Sequence, residues 1–332
     1  MDPGMTEPSV LYEELEDEIG TLLVGLEPQI HLLTIAVLTR GHVLLEGVPG
    51  VAKTSLANVF ARATGLEYKR MQMTPDILPA DITGTKIYRE QTGEFELQRG
   101  PVFSNVVVAD EINRATPKAQ SALLEAMEES RVSIEGETLA LPDPFVVIAT
   151  QNPLEMKGTF ELPEAQRDRF QMKVSVDLPS RANEMDILQR FRERPDLGPE
   201  EVSQVVSPTD IRRAKSAVEQ VYVDSSIEEY IMDVVAATRD HPDTEHGASP
   251  RGSIALLNTS RARAAILGRD YAIPDDIKTV ASPVLVHRLI LSTEAEIGDV
   301  SPETLVDDIL DSVVPPGGHE GSVPDPETTR NE

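Results

Sequence analysis

Apolar residues return at helical spacing near the start of the chain. Leu11, Leu15, Ile19, Leu22 and Leu23 mark one helical stretch, Gly25 through Pro28 interrupt it, and Ile30–Leu38 resumes it. The period then changes. His42–Glu46 is a short apolar run feeding a glycine-rich turn, and helical spacing comes back from Thr54 to Ala63. Strand, glycine loop, helix is the opening half of a βαβ unit. Val106–Ala109 and Val146–Thr150 are fully apolar runs of the kind buried on both faces of a parallel sheet, and a further short strand is predicted at Gln171–Val176. Pro117 suits the first turn of a helix reaching Ser130. Residues 131–146 alternate around Glu135-Gly136-Glu137 as a β-hairpin does. Residues 75–104, rich in Pro, Gly and Thr, carry little periodicity and read as an insertion.

After Pro179 the pattern is helical throughout, with segments near 181–193, 209–219, 226–240, 253–268, 274–286 and 302–312. The expected organisation is an α/β P-loop NTPase core, a parallel sheet flanked by helices over residues 11–180, followed by a smaller all-α lid over 181–314. Residues 1–10 and the Pro-, Gly- and Glu-rich stretch 315–332 are expected to be disordered.

Composition narrows the chemistry. The chain has no Cys, which removes disulfides, thiolate metal sites and cysteine nucleophiles, and its six His show no paired spacing that would suit zinc. No apolar run is long enough to span a bilayer, and MDPGMTEPSV has neither the basic nor the apolar part of a signal peptide, so a cytoplasmic protein is expected. The formal net charge of -27 repels nucleic acid and anionic membrane. Among the 30 basic residues Lys is scarce beside Arg, a balance that resembles the proteins of salt-accumulating halophiles.

Gly47-Val48-Pro49-Gly50-Val51-Ala52-Lys53-Thr54 follows G-x-x-x-x-G-K-[ST] except that Ala52 replaces the last glycine. A methyl there is tolerable if the backbone stays helical. In such a loop successive N–H groups and a helix N-terminus, with Ser55 in its first turn, face the phosphates. Lys53 supplies charge to the β- and γ-phosphates, and the Thr54 hydroxyl holds Mg²⁺. Val106–Ala109 runs into Asp110 and Glu111, and ligands of parallel sheets sit at the carboxyl ends of strands. Asp110 is thereby a second Mg²⁺ residue and Glu111 the general base for an attacking water. Asn152, just beyond the third apolar strand, is placed to orient that water or touch the γ-phosphate; Asn before Pro is also a common turn pair, but beside the other two strands the functional reading is favoured. Arg167 and Arg169, on one predicted helix, would point about 200° apart, so at most one faces a given site. Arg251, opening a helix of the second domain, either reaches back to the γ-phosphate or lies on the surface. Spacing alone chooses neither arginine.

These words together resemble the MoxR family of AAA+ ATPases: His42–Gly50, Asp110–Ala115, Gln120–Met127, Ala149–Pro153, Leu162–Gln166, Asp168–Phe170 and Gly247–Arg251, in family order over nearly the whole chain. The resemblance implies ATP as the nucleotide, Asn152 as first sensor, Arg251 as second sensor, and Arg169 as an arginine finger donated to the neighbouring subunit. It implies that 75–104 and 131–146 are the helix-2 insert and pre-sensor hairpin of the clade that includes magnesium-chelatase ATPases. It further implies a homo-oligomeric, typically hexameric ring that remodels a protein client in a chaperone-like way, often with a von Willebrand A domain partner. Two alternatives stand beside it, the ATPase subunit of a metal-chelatase-like complex and a nucleotide-gated switch with little turnover. A DNA-translocating helicase fits poorly, because hairpin 131–146 is acidic apart from Arg131.

Overall fold

A computed structural model describes residues 7–153 and 158–317. The expectations of disorder at 1–6 and 318–332 lie outside the described residues. Residues 8–10, also expected to be disordered, instead form the first turn of helix α1 (Pro8–Gly20), with Pro8 at a first-turn position that needs no N–H. Helix α2 (Glu27–Thr39), strand β1 (Val43–Glu46), helix α3 (Lys53–Ala63) and strand β2 (Tyr68–Gln72) follow.

The 75–104 stretch folds as a short helix α4 (Pro79–Thr83) and an antiparallel hairpin of β3 (Gly84–Arg89) and β4 (Glu94–Arg99). Strand β5 (Val106–Asp110) and helix α5 (Pro117–Glu129) lead to the second hairpin, β6 (Arg131–Ile134) with β7 (Glu137–Ala140). Strand β8 (Val146–Gln151), the short helix α6 (Glu164–Arg167) and strand β9 (Met172–Ser175) complete the α/β part.

The five-stranded sheet has the order β2-β5-β8-β1-β9 and every pairing in it is parallel. Its central strands read as apolar runs because both faces are covered. Val106, Val108, Val146 and Ile148 enter one hydrophobic cluster, while Val107, Ala109, Val147 and Ala149 enter the other. Edge strand β2 is different. Only Met71 of its residues is buried, so its sequence carries no apolar signal by which a strand could be placed there.

The lid comprises α7 (Arg181–Glu193), α8 (Pro208–Glu219), α9 (Ser225–Asp240), strand β10 (Thr244–His246), α10 (Pro250–Ile266), α11 (Pro274–Leu285), strand β11 (Ile290–Leu291), α12 (Thr293–Ile297) and α13 (Pro302–Ser312). The predicted helical segments are all present; the antiparallel β10–β11 ribbon is an addition that so short a pattern does not announce. The division near residue 180 is a change of element type rather than a break in packing. Leu11, Leu15 and Ile19 of α1 share one core with Ile211, Ala214 and Val218 of α8, and α2 buries every residue from Leu33 to Leu38.

His42 enters β1 buried. Its Nδ1 accepts from the Val147 N–H (3.0 Å) and its Nε2 lies 3.1 Å from the Met127 carbonyl, an arrangement that suits the neutral ring protonated at Nε2. Burial pushes its pKa from 6.5 down to about 4, only partly opposed by the Met127 carbonyl. Burial likewise lowers His31 to about 4. The unfolded chain therefore binds protons that the folded chain refuses across that window. Stability contributed by the neutral rings is present above pH 6.5 and is lost as the pH falls toward 4, on the order of 3 kcal/mol for His42 when complete. Melting temperatures should fall between about pH 7 and pH 5, and His42→Gln should flatten that slope while lowering stability at neutral pH. An unchanged slope in the variant would remove His42 from this account.

Candidate functional site

All five sheet strands point the same way, so their carboxyl ends share one edge, where parallel sheets bind ligands. From the end of β1 the loop 47–52 crosses this edge and turns into α3 at Lys53. Gly50 has φ +90°, a conformation that glycine adopts without cost. Ala52 overturns the expectation of a helical backbone: it is left-handed, with φ 65° and ψ 21°. The Cβ makes that conformation cost on the order of 1–2 kcal/mol, local strain of a kind that functional loops store. Lys53 folds back over the loop, its ammonium donating to the carbonyls of Gly47 (2.5 Å) and Val48 (2.9 Å). Burial lowers its pKa against the upward pull of Glu111, Asp110 and Glu46. Val51 instead turns its side chain into the core.

Pro49, Gly50, Ala52, Lys53, Thr54 and Ser55 form one wall of a cavity of about 410 Å³; Asp110, Glu111, Thr150 and Asn152 form the other. Asp110 is almost wholly buried at the end of β5. Its Oδ1 accepts from the hydroxyls of Thr54 (2.9 Å) and Thr150 (3.3 Å), and its Oδ2 accepts from the Arg70 guanidinium. The predicted pair Thr54 and Asp110 are thus adjacent hard oxygen donors, the donor type Mg²⁺ takes alongside substrate phosphates. Glu111 is left-handed (φ 56°, ψ 54°), a rare state for a residue with a Cβ. The Thr150 hydroxyl accepts its N–H at 2.9 Å, and its Oε2 accepts from Gln72 (2.9 Å) and Arg114 (3.0 Å). A carboxylate held by two donors, on a strained backbone fixed by a third hydrogen bond, is a prepared group.

A second cavity, about 480 Å³, adjoins the first and shares Gly50, Ala52 and Ser55 with it. Its other walls are largely apolar, with Leu22, Leu23 and Leu26 between α1 and α2 and Ile187 and Phe191 on α7.

The three candidate arginines lie elsewhere. Helix α6 ends at Arg167, so Arg167 and Arg169 do not share a helix. Arg167 lines a cleft with His246, His287 and Arg288. Arg169 pairs through Nη2 with Glu128 Oε2 (3.0 Å), and Arg251 Nη2 takes the other oxygen of the same carboxylate (2.5 Å). Arg251 therefore does not reach back to the P-loop of its own chain. Its helix starts at Ser249, whose hydroxyl donates to Asp168 (2.9 Å), and that bond anchors the helix N-terminus beside Arg169. Both arginines and Glu128 line a separate cavity of about 260 Å³.

Arg70, Gln72, Arg114, Thr150 and Glu128 escaped the reading of the sequence. Arg70 and Gln72 sit on the polar edge strand, Arg114 reaches Glu111 only through the tight turn that ends β5, and Thr150 and Glu128 depend on which strands and helices become neighbours. Only the register of β2 against β5, Gln72 opposite Asp110, brings the first two to the acidic pair.

Residues 42–172 match the model of the ATPase family associated with various cellular activities (AAA), and residues 236–309 match the AAA lid domain. The chain is 45% identical over 300 residues to the protein YeaC of Bacillus subtilis, spanning 90% of this chain and 93% of that one. It is 42% identical over 323 residues to the chaperone MoxR1 of Mycobacterium tuberculosis (92% and 84% covered). It is 35% identical over 298 residues to MoxR of Methylorubrum extorquens (83% and 86%). A magnesium-chelatase ChlI homologue of Methanocaldococcus jannaschii is 25% identical over 193 residues, 56% of this chain and 50% of that one. The fold matches a crystal structure from Cytophaga hutchinsonii, described as a candidate ATPase, with a TM-score of 0.85 and 41% identity over 92% of this chain and 96% of that chain. With near-complete coverage, the domain pair in its family order and a P-loop cavity facing an Asp-Glu strand end, the chain belongs to the MoxR family of AAA+ ATPases.

Proposed function

We propose that this protein hydrolyses ATP at a site assembled between two copies of the chain. The phosphate cavity comes from one copy and the Arg169–Arg251 pair from the next. The observation that carries this reading is the separation of the two halves within one chain. Lys53, Asp110, Glu111 and Asn152 line one cavity, and the paired arginines line another.

In this reading the loop N–H groups, the N-terminus of α3 and Lys53 receive the β- and γ-phosphates. Thr54 and Asp110 would hold Mg²⁺, which would supply charge neutralisation on the phosphates. Glu111 takes the proton of the attacking water and Asn152 orients that water. The apolar cavity beside the loop accepts the base and ribose. The neighbour's arginines meet the charge that develops on the transferred phosphoryl group, the step at which an arginine finger accelerates the reaction. Two different surfaces meeting head to tail close into a ring when the rotation permits, here a hexamer.

The ring is proposed to remodel a protein client in the cytoplasm, with a von Willebrand A domain protein as a fitting partner. Near full-length identity to a protein named a chaperone supports this over a chelatase subunit, whose likeness covers about half the chain. The net charge of -27 argues against a nucleic-acid client. Among the described residues no helix is long and apolar enough to cross a membrane.

Phosphate release per subunit, followed across a protein concentration series in molar KCl, tests the shared site. Specific activity should rise steeply with concentration, and Lys53→Ala should lose nucleotide binding and turnover together. Constant specific activity from a species that sizes as a monomer would overturn the proposal.

A further inference from the structure

Arg288 is the most deeply placed charged group on the arginine side of the molecule. Its side chain is 2% exposed, and burial lowers its pKa to about 10, partly offset by Asp168, so it is still a cation at neutral pH. A buried guanidinium is costly unless its donors are used. Here all but one of their bonds to carbonyls and carboxylate converge on one short segment. Nε donates to Asp168 Oδ1 (2.9 Å), Nη2 to the carbonyls of Phe170 (2.7 Å) and Asp168 (3.4 Å), and Nη1 to the carbonyls of Gln171 (3.1 Å) and Val284. The adjacent His287 Nε2 lies 3.0 Å from the Phe170 carbonyl. A lid side chain thereby fixes the backbone on both sides of Arg169.

Asp168 spans the same junction from the other direction. Its Oδ1 takes Arg288, and its Oδ2 takes the hydroxyl of Ser249, the N-cap of the helix that carries Arg251. Arg169 and Arg251 come from segments distant in the sequence, yet both guanidiniums reach one carboxylate, that of Glu128. Their spacing therefore already suits a single small anion. Glu128, Arg169 and Arg251 are partly exposed, whereas the side chain of Arg288, which lines the same cavity, is almost wholly buried.

We propose that Arg288 is a positioning residue for the reaction. Through Asp168 it locks the finger segment 168–171 to the lid, so that Arg169 and Arg251 are delivered as one preset pair to the γ-phosphate of the adjoining subunit. This rests on the shared-site reading above. With Nε, Nη1 and Nη2 all engaged within the chain, Arg288 acts through the backbone it holds; its loss leaves Arg169 and Arg251 present but frees the backbone that aims them. Reaction rates respond to displacements of this size because transition-state contacts are demanding in distance and angle.

The test is complementation between variants. Arg288→Ala should keep the wild-type affinity for a fluorescent ATP analogue and the wild-type KM, while kcat falls by at least about tenfold. Mixed with Glu111→Gln, whose own site is dead but whose arginines are intact, Arg288→Ala should regain activity, because about a quarter of neighbour pairs in a random ring join a good site to good arginines. Arg169→Ala mixed with Glu111→Gln is the control. If the control regains activity and the Arg288→Ala mixture does not, Arg288 is a packing residue and this proposal is overturned while the shared site stands. If neither mixture regains activity, the shared site itself fails. Wild-type kcat in Arg288→Ala overturns the positioning role directly. Should Arg288→Ala lack a cooperative melt, Arg288→Lys and Asp168→Asn decide by the same mixtures. Each keeps a polar partner at the junction, and a deficit in kcat restored by mixing is again the expected result.

Discussion

Glu111→Gln should bind ATP as tightly as the wild type and release phosphate at least about 10²-fold more slowly, within the range that general-base catalysis supplies. The substitution is conservative in shape. A glutamine carbonyl still accepts from Gln72 and Arg114, and the backbone N–H still finds Thr150, so the left-handed turn at the end of β5 keeps its supports. What is lost is the proposed base. Asp110, whose carboxylate is held by Thr54, Thr150 and Arg70, is left in place to receive Mg²⁺. A binding isotherm matched to the wild type with turnover gone is the expected pair of readings. Turnover within a few-fold of wild type would mean that Glu111 is a structural end to its strand and that the base lies elsewhere.

Arg169→Ala should retain ATP binding and lose turnover by about 10³-fold, because a finger stabilises charge that exists only in the transition state. Arg167 lies in a cleft with the buried His287 and Arg288, so Arg167→Ala should cost much less activity than Arg169→Ala. Single-turnover phosphate release at saturating protein separates the two. A large loss in Arg167→Ala with near-normal Arg169→Ala would reverse the assignment. The loss in Arg169→Ala should be matched by Arg251→Ala more closely than chance would have it, since the pair shares Glu128 and is offered to one anion.

Glu128 is the natural counter-ion of that pair in the isolated chain. Two guanidiniums brought close together repel, and a shared carboxylate with one oxygen for each lowers that cost. The ion pairs are partly exposed and worth little to folding, so the carboxylate can yield to a phosphate without a large penalty.

Much of this was legible in the linear chain because it is local. The P-loop needs its residues consecutive, the acidic pair needs an apolar strand directly before it, and the lid helices advertise themselves through spacing. A buried central strand such as Val106–Asp110 must be apolar on both faces, and that is visible without a structure. The identities of Lys53, Thr54, Asp110, Glu111 and Asn152 as cavity residues follow from this local grammar.

What the chain did not show is whatever depends on neighbours distant in sequence. Edge strand β2 is nearly all polar because half of its environment is solvent, so neither it nor Arg70 and Gln72 could be placed beforehand. The helical backbone expected at Ala52 failed because the turn demands a left-handed residue whatever its side chain. From its position in the sequence Arg251 either reaches back to the γ-phosphate or lies on the surface; in the fold Ser249, Asp168 and Arg288 anchor its helix beside Arg169. Sequence by itself determined the elements and the consecutive motifs, since backbone periodicity and loop chemistry act over a few residues. The tertiary structure alone decided which charges meet, because a buried guanidinium settles wherever enough carbonyls and a carboxylate converge to replace its water.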